Sequence, residues 1–127
     1  MRFLAKWVTS RSKNRAGRIM NETEFLALAE KVLDLIESQA DDWEGEHDVD
    51  LDITRNGNVL TLAFEAGTIV VNSQAAMQEL WLAARSGGFH YKYDGTTWND
   101  TRGGPPLHEA LSQICTQTAG TPLGIKL

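Results

Sequence analysis

Apolar residues recur along this chain at two periods, and the change of period divides it. Phe25, Leu28, Ala29, Val32 and Ile36 follow helical spacing and define one stripe. Asn21-Glu22-Thr23-Glu24 stands before them, with Asn21 or Thr23 as the cap and Glu24 in the first turn. Glu30, Asp34, Glu37 and Asp41 fall nearly opposite the stripe, so one side of this helix is core and the other acidic. From Asp48 the period becomes two: Val49, Leu51 and Ile53 point one way and Asp48, Asp50 and Asp52 the other, a half-buried strand. Asn56-Gly57 is a hairpin signal, and Leu60, Leu62 and Phe64 return as the partner strand.

The alternation predicts further strands at 68–72, 79–84, 89–93 and 97–100, separated by Ser86-Gly87-Gly88 and Asp94-Gly95. Pro105-Pro106 opens a second helix on Leu107, Leu111, Ile114 and Cys115, which Gly120 stops. After it Leu123, Ile125 and Leu127 alternate in a tail expected between the two helices. Helix, antiparallel meander, helix is an α+β order. It predicts a two-layer sandwich, two helices packed on one face of a mainly antiparallel sheet of about six strands.

Charge separates the chain in a different way. Residues 1–19 carry six Lys or Arg and no acid, whereas the remainder sets six bases against all 17 acids. An acidic body of that kind repels nucleic acid and attracts cations or basic proteins. The leader reads as an upstream start or a cloning-derived segment, left disordered outside a domain spanning 20–127. Its Arg-rich, acid-free composition also fits a mitochondrial transit peptide. The lone Cys115 excludes an internal disulfide and favours a reducing compartment. No apolar run reaches the length of a membrane span.

The densest feature is 40–53, ADDWEGEHDVDLDI, with seven carboxylates in fourteen residues. Outward Asp residues on a strand stand about 6.6 Å apart and repel by about 0.6 kcal/mol per pair in water. A solvated face needs no such cost, which points to function. Carboxylates are hard donors suited to Mg²⁺, Ca²⁺, Mn²⁺ and iron. Ile53 stands where an EF-hand loop needs glycine, and donors so spaced on a convex surface predict several open, hydrated sites.

Other chemistry is sparse. His47, His90 and His108 lack paired metal-ligand spacing, and no nucleophile elbow or phosphate-binding glycine loop is present. Cys115 on an apolar helix stripe reads as core. Trp81 lies out of phase with Leu80 and Leu82, so it projects from the open side of the sheet, with Met77 and Glu79. Either it packs across neighbouring strands, or it is an interface anchor beside Asn72 and Gln74.

Taken together, MNETEF, Asp41-Asp42-Trp43, Asp48-Val49-Asp50, Asn72-Ser73-Gln74, Trp81-Leu82, Gly87-Gly88-Phe89-His90-Tyr91, Gly95 and Trp98 resemble the frataxin family in its short bacterial, CyaY-type form. The resemblance runs from Met20 to the C-terminus. Ala76 replaces a common proline, Glu79 a glutamine and Ser38 a frequent acid. It implies a cytoplasmic iron-binding protein of iron–sulfur cluster assembly, an iron donor or chaperone and a regulator. Carried over by position, weak surface sites for Fe²⁺ or Fe³⁺ would use Glu37, Asp41, Asp42, Glu44, Asp48, Asp50 and Asp52. Its partners would be a cysteine desulfurase, docked on the same ridge, and a scaffold protein facing Asn72, Gln74 and Trp81. It implies a monomer, with iron-dependent oligomers as a variant.

Two other readings compete. One is a ferroxidase and iron-storage enzyme active as an oligomer, although no inward-facing Glu/His di-iron set appears. The other is an acidic decoy for basic proteins that needs no metal.

Overall fold

A computed structural model describes residues 11–127. Asn21 caps the first helix, α1 (Glu22–Asp41), through a reciprocal box: the Glu24 amide donates to Asn21 Oδ1 at 2.8 Å, and the Asn21 amide to Glu24 Oε1 at 3.0 Å. A short helix that periodicity did not anticipate, α2 (Trp43–His47), follows at once. Five residues are too few to show a period.

Six strands then run as a meander: β1 (Leu51–Asn56), β2 (Val59–Phe64), β3 (Gly67–Gln74), β4 (Glu79–Ala84), β5 (Gly87–Tyr93) and β6 (Trp98–Asp100). Every neighbouring pair is antiparallel, in the order β1-β2-β3-β4-β5-β6. The turn after β1 rests on Gly57 at φ 59, a left-handed conformation that glycine adopts without strain. The last helix, α3 (Leu107–Ala119), ends where Gly120 takes the left-handed cap.

Helices α1 and α3 cover one face of the sheet. Phe25, Leu33 and Ile36 of α1 and Leu107, Leu111 and Cys115 of α3 are buried in one core with Leu60, Leu62, Ile69, Val71, Leu80, Leu82 and Tyr91. The opposite face of the sheet carries no layer among the described residues. The C-terminal tail lies between the helices as expected. Thr116 Oγ1 and Ser112 Oγ of α3 accept from the Leu123 and Ile125 amides at 2.9 and 2.8 Å. From α1, Gln39 exchanges two 2.8 Å bonds with the backbone of Lys126. Leu123 and Ile125 are buried, whereas Leu127 is 41% exposed.

Two expectations need correction. The strand was expected from Asp48 but begins at Leu51, because Asp48 adopts φ 54 as the C-cap of α2. The in–out alternation still holds through Val49, Asp50 and Leu51. Residues 1–10 of the basic leader lie outside the described residues. Residues 11–19, expected to stand apart from the domain, instead pack against it. The Lys13 amide donates to Tyr93 O at 2.8 Å and the Met20 amide to Ser12 O at 3.1 Å. Ser12 is 0% exposed, and its hydroxyl donates to the carbonyl of Gln78 and accepts from the Tyr93 amide. Gly95 lies so close beneath Asn14 O that a Cβ there would meet it at 2.7 Å. Backbone hydrogen bonds, invisible to a charge pattern, hold this segment.

Candidate metal-binding and partner-binding surfaces

The buried stripe of α1 turns its acids outward, and Ala40 and Trp43 anchor the corner that follows. Trp43 stacks on Phe64 with ring centroids 6.3 Å apart. Around this fixed indole Asp41, Asp42 and Glu44 are exposed, and the left-handed turn at Asp48 carries the row on through Asp50 to Asp52. None of these six carboxylates has an ion-pair partner among the described residues. Asp41 ends a helix whose last turn holds no base, where the helix dipole disfavours negative charge. Local stability therefore does not explain the acids here.

Glu37, the seventh residue of the expected ridge, is differently placed. Register sets Arg55 opposite Leu60 on the helix side of β1. From there Arg55 Nη1 donates to Asp34 Oδ1 at 2.8 Å and to Glu37 Oε1 at 3.1 Å. The arginine side chain is only 17% exposed, so the pair is a clamp between α1 and β1. Asp52, opposite Ala63, faces the other side of the sheet. The ridge thus wraps an edge strand. Among the described residues no three His, Cys, Asp or Glu side chains are grouped closely enough to enclose a metal ion.

One acid escaped the sequence reading. The pairing of Leu51 with Phe64 brings the β2–β3 turn beside the start of β1, and Glu65 there shares an open cleft with His47, Asp48 and Asp50. Only strand register could reveal it.

The residues predicted on the sheet do come together. Asn72 pairs with Trp81 and Gln74 with Glu79, while Gln74 Nε2 donates to Asn72 Oδ1 at 2.7 Å. Trp81 is half-buried and lies flat on His90, with centroids 4.2 Å apart and planes within 5°. The cross-strand reading of Trp81 therefore holds, and part of its ring still reaches solvent. Glu79, expected to project with it, is covered instead, because side chains from the adjoining strand close over it.

Cys115 is fully buried, and burial pushes its thiol up to about 12. It stays protonated and is no nucleophile at neutral pH. Burial, with a smaller contribution from nearby Asp100, likewise pushes Tyr91 up to about 12.

The chain matches the family described as Frataxin-like domain over residues 18–121. It is 69% identical over 109 residues to the iron-sulfur cluster assembly protein CyaY of Bordetella petrii, covering 85% of this chain and all of that protein. The identically named protein of Cupriavidus metallidurans is 52% identical over 108 residues, covering 84% and 97%. Among solved structures, frataxin from Psychromonas ingrahamii superposes with a TM-score of 0.74 at 30% identity, covering 85% of this chain and all of that one. Its fold is also the two-layer arrangement described above. The chain therefore belongs to the frataxin family, as a CyaY-type member.

Proposed function

We propose that this protein serves iron–sulfur cluster assembly, holding iron on its acidic surface and regulating a cysteine desulfurase–scaffold complex. The carrying observation is the set Asp41, Asp42, Glu44, Asp48, Asp50 and Asp52, exposed and without ion-pair partners among the described residues. Relatives that share most of the chain are named for this process. The carboxylates offer hard oxygen donors with the rest of the coordination left to water, which suits weak, exchangeable iron. Glu37 contributes only when Arg55 releases it. The same negative field steers a basic partner surface, and we assign that role to the desulfurase. Asn72, Gln74 and Trp81 face the scaffold. The protein acts in the bacterial cytoplasm as a binding module and regulator.

Anaerobic Fe²⁺ titration, followed by pull-down with desulfurase and scaffold with and without iron, tests this reading. Reversing Asp41, Asp42 and Glu44 to Lys should abolish most iron binding and weaken desulfurase capture, more so at low salt. Unchanged iron binding and unchanged capture would overturn it. Rapid iron-dependent oxygen consumption by the purified protein would favour the ferroxidase instead.

A further inference from the structure

Glu79 lies on the face of the sheet away from the core, yet its side chain is only 5% exposed. Its carboxylate meets three groups: Trp81 Nε1 donates to Oε1 at 2.8 Å, His90 Nδ1 lies 3.4 Å from Oε1, and Lys92 Nζ lies 3.4 Å from Oε2. Lys92 is itself held, donating to Met77 O at 3.0 Å. Covering a carboxylate costs free energy unless charge and hydrogen bonds compensate it. That arrangement contributes nothing to the apolar core on the opposite side. Its effect is local: the indole N–H is satisfied internally, and one indole face rests on His90.

We propose that Glu79 is a positioning residue that locks the Trp81 indole over His90, with Lys92 neutralising the carboxylate. Trp81 is thereby preorganised as a docking platform. What it presents to a partner is the solvent-exposed part of the ring, and no hydrogen-bond donor. It fits an apolar surface of the scaffold that offers no acceptor at that point, since Lys92 and His90 already occupy the carboxylate beside the ring. The proposal rests on the reading that this patch docks a partner. A locked side chain loses no rotamer freedom on binding, which is worth about threefold to tenfold in affinity.

The test uses the full chain with Glu79→Gln and Glu79→Leu, observed through the indole N–H resonances. Trp43 and Trp98 lie in the core and report whether the fold survives. Glutamine keeps an acceptor and should keep the Trp81 indole proton protected from exchange. Leucine removes the acceptor, so that proton should exchange freely while those of Trp43 and Trp98 do not change. Binding to the desulfurase–scaffold complex should fall threefold to tenfold for Glu79→Leu and be restored by Glu79→Gln, with Fe²⁺ binding the same in both. A protected Trp81 proton in Glu79→Leu, or equal loss of protection in both variants, overturns the proposal. So does full affinity in Glu79→Leu where Trp81→Ala binds weakly. If Trp81→Ala itself binds normally, the docking reading of the patch fails, and the exchange result still decides whether Glu79 positions the ring.

Discussion

Truncating Leu123 or Ile125 to alanine isolates what the C-terminal tail contributes. Both side chains are buried at the helix–helix groove, 5% and 3% exposed, while Leu127 two residues on is 41% exposed. Each substitution removes three carbons, and at about 0.8 kcal/mol per buried carbon the transfer loss is about 2.4 kcal/mol. The cavity contribution is small, because a tail at the chain end can settle into the space. Taking a urea slope of about 1.5 kcal/mol/M, the unfolding midpoint should fall by about 1.6 M for either variant. Leu127→Ala should change stability by less than about 0.5 kcal/mol, as surface truncations do. The double variant should cost less than the sum, because one detached side chain weakens the seat of the other. Urea denaturation followed by tryptophan fluorescence measures all four. Equal losses at positions 123 and 127, or full additivity, would refute the picture of a tail held at two points.

The remaining predictions concern charge. Neutralising Asp41, Asp48 and Asp50 together to Asn should raise apo stability by about 0.5–1.5 kcal/mol at low salt, since like charges and a helix C-terminus are relieved. Thermal melts with and without 0.5 M salt check this, and the gain should shrink in salt. Arg55→Gln should cost about 1 kcal/mol and should raise divalent-cation affinity, because Asp34 and Glu37 are released; calorimetric titration reads the second effect. Tyr91 and Cys115 are held well above their ordinary values of 10.0 and 9.0, at about 12. Each binds its proton more tightly folded than unfolded, so stability should fall as pH rises from about 9 to 12. Tyr91→Phe should flatten that decline above pH 10 in a series of urea midpoints.

Much of this architecture was visible in the pattern of residues because local chemistry set it. The α1 stripe, the Asn-Gly hairpin and the Pro-Pro helix start each act within a few residues of themselves. What escaped was long-range. Arg55 meets Asp34 and Glu37 only because β1 returns under α1, so a carboxylate expected to be free is already engaged. Glu79 alternates outward as its position requires, yet Trp81, His90 and Lys92 cover it. The basic segment 11–19 was set aside on its charge, whereas Ser12 and the Lys13 backbone decide its place. Asp48 breaks the strand it was expected to begin, since a left-handed residue is a property of the turn and not of the alternation.

Strand β1 is joined to the sheet on one side only; among the described residues nothing pairs with its other side. A six-residue strand with an open row of amides and carbonyls invites another copy of itself to add on. The acids at and just before its start should act as gatekeepers against that addition, since two copies brought together would juxtapose like charges. The triple neutralised variant should therefore be harder to unfold yet quicker to aggregate. Cations that saturate the row should lift the same guard, which makes fibre-like association a concentration-dependent hazard of heavy metal loading. The same negative charge that should cost the isolated fold stability should thus keep it from growing edge to edge.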